Sequence, residues 1–188
     1  MNLGRPLILA SSSPRRQYLM REAGYTFKAQ SPDIDESFPA DLAITAVPKY
    51  LARKKAEVFE KKITDEIVIS SDTVVILKDE ILNKPLNRKE AIEMLSKLSG
   101  QTHTVITAVC LFSKEKMDCF DDHTEVTFKI LTQEEIEFYV DTYKPYDKAG
   151  AYGAQDWIGL VAIEKINGSY FTVMGMPMHL VYRHLKNF

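Results

Sequence analysis

The stretch LILASSSPRR, residues 7–16, decides the fold: an apolar run gives way to three serines, a proline and two arginines. Leu7, Ile8 and Leu9 have the continuous apolar character of a strand buried on both faces, as in a parallel sheet. Ser13 then reads as an N-cap and Pro14 as the first helical residue, its φ already set. Arg15 and Arg16 therefore fall in the first helical turn, where the macrodipole already places about half a positive charge. Cations there cost stability unless an anion neutralises them. Phosphate oxygens can take backbone N–H groups, serine hydroxyls and guanidinium bonds together. A capped helix carrying two solvated arginines is the alternative for the same ten residues.

Downstream, the helix is expected over Pro14 to Ala23, with Tyr18, Leu19 and Ala23 on one face and Gly24 as its stop. A strand over Tyr25 to Ala29 follows, then a loop, Ser31 to Ala40, that carries Asp33, Asp35 and Glu36. A second helix should begin near Thr45, with Pro48 tolerated in its first turn. Leu51, Lys55 and Val58 fall at i, i+4 and i+7, which turns Lys55 inward while Arg53 and Lys54 point out. An inward lysine needs an anionic partner, or it snorkels. IVISSDTVVIL, residues 67–77, is a second apolar strand region, interrupted by Ser70-Ser71-Asp72-Thr73. A carboxylate inside such a run must be paired, hydrogen-bonded or bound to metal. An aspartate satisfied by backbone N–H groups at a bend is the alternative.

Asn83-Lys84-Pro85 reads as a turn, and Asn87 with Glu90 has capping-box spacing for a helix whose core face is Ala91, Leu95 and Leu98. A long hairpin is expected next, VITAVCLF returning over Cys119 to Ile130. His103, which stands alone, suits a structural role better than ligation. Thr132 and Glu135 repeat the capping pattern, with Ile136, Tyr139 and Val140 as the inner face. Asp147 to Gln155 mixes small residues with Asp, Lys and Gln; it suits close approach of backbone to a ligand, or a flexible loop. Val161 to Ile166 is expected to pair with Tyr170 to Met174 around Asn167-Gly168, and Pro177 to Leu185 to close the chain as a helix. The economical assembly is an α/β fold with a mixed, twisted sheet in two lobes. Ligands in such folds sit beyond the carboxyl ends of strands, which would bring Arg15, Arg16 and Asp72 together.

The 188 residues are 45% hydrophobic with a formal net charge of -2, enough for a normal core and giving no general attraction to nucleic acid. No apolar run is long enough for a membrane span, and Met1 to Pro6 lacks the apolar core of a signal peptide. The expected location is cytoplasmic, with no membrane or nucleic-acid partner. Cys110 and Cys119 lack zinc-site spacing and are too few for a disulfide scaffold, so reduced thiols are expected.

With those segments placed, the chain resembles the Maf family of nucleotide pyrophosphatases, also called septum formation inhibitor proteins, nearly end to end. SSSPRR at Ser11 to Arg16 is similar to the family's opening motif, and Glu36 falls at its acidic loop position. LARKKA, Asp72-Thr73, Lys84-Pro85, LSGQTHTVITAV, DKAGAYGAQ and INGSYFTVMGMP follow in the family's order. The resemblance implies one domain over residues 1–188, with a mixed twisted sheet flanked by helices in two lobes around a central cleft, of the Maf and ITPase type. It implies hydrolysis of a nucleoside triphosphate between the α and β phosphorus atoms. Asp72, Glu36, Lys55 and Lys84 would be catalytic, with Ser11, Ser13, Arg15, Arg16, Thr73 and Gln155 binding substrate. Arg15, Thr73 and Gln155 resemble the branch acting on dTTP and UTP. Mg²⁺ or Mn²⁺ held through Asp72 and Glu36, a nucleotide as the small-molecule partner and a homodimer are further implications. Ala154-Gln155-Asp156 replaces the family's usual Ile-Gln-Gly. The competing class is a non-catalytic nucleotide- or polyanion-binding regulator of division, which would gain nothing from carboxylates beside phosphate.

Overall fold

β1 (Leu7–Ala10) is buried along its whole length and pairs in parallel with β2 (Lys28–Ala29) and with β3 (Ile67–Leu77). The computed structural model describes residues 4–188; Met1–Leu3, part of the segment read for a leader, lie outside the described residues. Leu7 is in register with Ile67 and Ala10 with Ser70, so β1 ends level with the serines of β3. β3 is not interrupted there, as the polar residues had suggested, but continues for 11 residues. Its hydroxyls explain why. Ser70 Oγ donates to the Ala52 carbonyl at 2.5 Å and Ser71 Oγ to the Gly175 carbonyl at 3.1 Å, so buried polar groups find partners without leaving the strand.

Among the described residues the sheet has seven strands in the order β2-β1-β3-β5-β6-β7, where β5 is Thr102–Phe112, β6 Met117–Phe128 and β7 Ile163–Asn167; β4 (Glu80–Leu82) pairs antiparallel with β3. The mixed α/β fold expected from the sequence is present. The chain divides into two compact units. One comprises the chain through Asp72 with Thr107–Asp122 and Gly175–Phe188; the other comprises Thr73–Ile106 and His123–Met174.

The first unit carries α1 (Pro14–Glu22), α2 (Val47–Glu57) and α7 (Met178–Lys186). α1 buries Leu19 and Met20, while Tyr18, expected on the inner face, is 54% exposed because Met20 fills the core position instead. The strand expected over Tyr25 to Ala29 is confined to Lys28 and Ala29. On α2 the small residues Ala52 and Ala56 pack against Ala108 and Cys110, and the same phase buries Leu51 and Lys55. Cys110 and Cys119 are the third residue from the end of β5 and the third of β6, hence opposite one another across the hairpin, and their sulfurs are bonded. That corrects the expectation of reduced thiols: the hairpin register brings together two cysteines that spacing along the chain leaves apart.

The second unit carries α3 (Arg88–Leu98), α4 (Gln133–Tyr143), α5 (Trp157–Ala162) and α6 (Tyr170–Val173). Its core joins Leu95 and Leu98 of α3, Ile136 and Tyr139 of α4, Phe128 of β6 and Ile158 of α5. Thr132 and Glu135 form the full reciprocal capping box. Asn87 caps α3 by accepting the Glu90 N–H, whereas the Glu90 carboxylate turns to the Leu86 N–H and the Asn87 amide. The expected C-terminal hairpin is absent: β7 pairs antiparallel with β6, and Tyr170–Val173 is helical. The reason lies at the turn. Gly168 has φ +130° and lies so close to β6 that a Cβ would meet Thr124 Oγ1 at 2.5 Å. The Ser169 N–H then donates to Thr124 Oγ1 and Thr124 Oγ1 donates to the Ser169 carbonyl, which pins the chain on β6 before it can fold back on β7. Among the described residues, no helix is long and apolar enough to cross a membrane.

Candidate active site

In the first unit, Lys55 Nζ lies 2.5 Å from Asp72 Oδ1 and 2.7 Å from Glu36 Oε1. The Lys55 and Asp72 side chains are 9% and 10% exposed and Glu36 is 47% exposed, so a buried ion pair is joined by an acid reaching in from the surface. Helical phase places Lys55; the unbroken course of β3 places Asp72. Burial pushes the Asp72 carboxyl upward, against the pull of the Lys55 and Arg16 charges, and Glu36 adds to the upward push. Of the three loop acids, Asp35 closes its own turn by accepting from the Ser37 hydroxyl and N–H, and Glu36 is the one that meets the lysine.

Arg16 is held by its Nε, which donates to the Gly175 carbonyl at 2.8 Å, the same oxygen that accepts from Ser71. Burial pulls its pKa down, Asp72 opposes that, and the neighbouring charge of Arg15 adds to it. Ser13 occupies the N-cap position with an extended backbone but makes no capping bond through its side chain. Ser11, buried, accepts the Ser13 N–H on its hydroxyl at 3.1 Å. The SSSPRR turn therefore presents two arginines whose backbone is already set by neighbouring serines. Arg16 lies near Asp72, as the strand ends suggested, with Arg15 beside it, and Lys55 and Glu36, which the family resemblance implied, join them.

Among the described residues no three His, Cys, Asp or Glu side chains gather into a metal cage. Two carboxylates meeting at one ammonium nevertheless suit a hard divalent cation of the Mg²⁺ type, which is held through one or two carboxylates and completes its shell with water and phosphate oxygens.

Thr73, Lys84 and Gln155 belong to the second unit. Lys84 sits in the turn after β4, and the Gly150 N–H donates to the Asn83 carbonyl at 3.2 Å, which ties that turn to the 147–155 segment. That segment is ordered by specific bonds, unlike a flexible loop. Gln155 Nε2 donates to Asp156 Oδ1 at 3.0 Å, the Tyr139 hydroxyl donates to Asp156 Oδ2 at 2.8 Å, and the Gly153 N–H donates to the Tyr139 oxygen at 3.1 Å. The helical period marks Tyr139 as core and is silent on its hydroxyl. Its ring is fully buried, and the missed signal is that a buried tyrosine hydroxyl must find a partner. His103 is structural, as expected: buried, 2.7 Å from the Tyr152 hydroxyl, with its pKa lowered by burial to about 4.

The chain matches the Maf-like protein family over residues 6–188. It is 48% identical to a dTTP/UTP pyrophosphatase of Bacteroides fragilis over 188 residues, covering 98% of this chain and 97% of that one. It is 46% identical to a dTTP/UTP pyrophosphatase of Porphyromonas gingivalis over 186 residues, covering 97% and 94%. The solved structure of the Staphylococcus aureus Ham1 protein shares the fold, with a TM-score of 0.56 at 15% identity over 97% of this chain and 99% of that one. A match of this extent, on a chain whose SSSPRR turn, buried lysine and strand aspartate converge, shows that the protein belongs to the Maf-like family.

Proposed function

We propose that the protein hydrolyses dTTP and UTP to the monophosphate and pyrophosphate, by attack of water at the α-phosphorus. The observation that carries the reading is the buried Lys55–Asp72 pair with Glu36 and Arg16 around it. Phosphoryl transfer needs an in-line water and neutralisation of developing charge more than covalent catalysis, and this cluster contains a base and cations for both tasks. The relatives named above, similar over nearly their whole length, support the choice of substrate.

Asp72 takes a proton from the attacking water as the new P–O bond forms, and the bond from the α-phosphorus to the α,β-bridging oxygen breaks with its electrons on pyrophosphate. Lys55 holds the Asp72 carboxylate in place. Arg16 and Lys84 neutralise phosphate oxygens, with Ser11, Ser13 and the start of α1 adding neutral donors. Arg15, Thr73 and Gln155 select the base. Glu36 and Asp72 are the residues that would hold Mg²⁺ or Mn²⁺, which when bound polarises phosphate oxygens. We place the enzyme in the cytoplasm as a single-domain homodimer without nucleic-acid or membrane partners.

The test is pyrophosphate release from dTTP, UTP, CTP, GTP and ATP, with and without Mg²⁺. Metal-dependent release led by dTTP and UTP is expected. Binding without turnover of any nucleotide would replace the enzyme with the division regulator.

A further inference from the structure

We propose that Asp156 is a positioning residue that holds the Gln155 side-chain amide in the one orientation able to read uracil or thymine and refuse cytosine. The inference rests on the assignment of Gln155 to base selection and deepens it.

A glutamine amide carries a donor and an acceptor and can present them either way round by turning half a circle. Uracil and thymine offer a ring N–H between two carbonyls; cytosine offers an unprotonated ring nitrogen beside an amino group. Each matches one of the two amide orientations, so a freely turning Gln155 would serve both bases. In this chain the turn is blocked. A carboxylate only accepts, so the Gln155 atom 3.0 Å from Asp156 Oδ1 must be the amide nitrogen. Turning the amide would set its oxygen against a carboxylate oxygen, two acceptors face to face. The orientation kept leaves Gln155 Oε1 to accept the ring N–H and the second amide hydrogen to meet a carbonyl.

Asp156 is itself held. The Tyr139 oxygen accepts the Gly153 N–H at 3.1 Å, which directs its own proton to Asp156 Oδ2 at 2.8 Å, and Lys148 Nζ lies 3.7 Å from that same oxygen. Tyr139 is fully buried, so the anchor for the chain of bonds is the core of the unit. Gly153 completes the arrangement independently. A Cβ at that position would lie 2.5 Å from Gln155 Nε2 and 2.6 Å from Asp156 Oδ2, so a side chain there would displace the pair from this placement. Sequence, backbone and hydroxyl all converge on one amide.

UTP and CTP differ only on the edge in question, so the ratio of their kcat/KM values is the readout. The experiment is a double-mutant cycle of Asp156→Ala and Gln155→Ala, with Asp156→Asn as a shape-conserving third variant and thermal unfolding to confirm folding. The wild-type enzyme should favour UTP by about 10²-fold or more. Asp156→Ala should lower that ratio about tenfold, chiefly through better use of CTP, since a charge-assisted bond no longer sets the amide. Asp156→Asn should lower it further. Its oxygen keeps the Tyr139 proton, so its amide nitrogen faces Gln155 and demands the turned orientation. In the Gln155→Ala background, Asp156→Ala should change nothing, because the residue acts through Gln155.

An unchanged ratio in Asp156→Ala and Asp156→Asn overturns the inference while leaving Gln155 as the reader. An equal fall in both backgrounds also overturns it, by showing that Asp156 touches the base itself. A wild-type enzyme with no UTP preference, or one whose preference survives Gln155→Ala, overturns the assignment of Gln155 and this inference with it.

Discussion

Replacing Lys55 with methionine keeps an unbranched apolar stem on the buried face of α2 and removes the charge. What is left is an aspartate 7% exposed that has lost the nearest cation. Breaking a buried pair from one side typically costs about 3–5 kcal/mol, whereas the bridge to half-exposed Glu36 adds about 1 kcal/mol at most. The loss should depend on pH in a definite sense. Burial already raises the Asp72 carboxyl above its ordinary value, and without Lys55, its largest opposing influence, it rises further. A carboxyl whose folded pKa lies above the unfolded value of about 3.9 favours the fold when protonated, and that contribution is lost as pH climbs through the folded pKa. The deficit of Lys55→Met against wild type should therefore be smaller at about pH 4 than at about pH 7. Urea unfolding of both proteins at the two pH values measures it. Activity should fall about 10²-fold or more, with the acid limb of kcat/KM displaced to higher pH. Lys54→Ala, which removes an exposed bond to the Ser37 carbonyl and a surface charge near Asp35, should stay within about 0.5 kcal/mol of wild type and keep normal activity. A deficit that does not vary with pH, or equal losses at Lys54 and Lys55, would refute the reasoning.

Asp72→Asn should fold and lose about 10²- to 10⁴-fold in kcat, as expected for a general base; a near-normal rate in the folded variant removes Asp72 from the chemistry. His103, with its pKa lowered by burial to about 4, binds its proton more readily when unfolded, so the fold should lose up to about 3 kcal/mol as pH falls from about 6.5 to 4. Replacing it with phenylalanine should flatten that part of the stability curve, and an unchanged slope would count against a buried neutral imidazole. Thr132→Ala removes one arm of the α4 capping box and should lower stability by about 1 kcal/mol without altering kcat, checked by chemical denaturation and steady-state assays.

Features set by local physics were legible in the sequence: β1 from its unbroken apolar run, α1 from Ser13-Pro14, the inward turn of Lys55 from helical phase, and the α4 cap from Thr132 and Glu135. What was not legible depends on partners distant in the chain. Three acids in one loop look alike until a lysine 19 positions after Glu36 chooses among them. β3 read as interrupted because Ser70 and Ser71 find their acceptors at Ala52 and Gly175, which no window around position 70 contains. The C-terminal hairpin failed for the same reason, since Thr124 holds the backbone that Asn167-Gly168 would otherwise have turned. Tyr139 hid its polar function behind a helical period that marked it, correctly, as core.

The ammonium between Asp72 and Glu36 also separates assembly from loading. Many small metalloproteins cannot complete their fold until a cation arrives to reconcile the acids gathered at its site, so that stripping the metal unfolds them. Here the chain brings its own cation to its acids, attached through the packed helix that buries it. The acids are thus balanced from within the chain, and a divalent ion or nucleotide bound there would meet a scaffold whose charges are already reconciled.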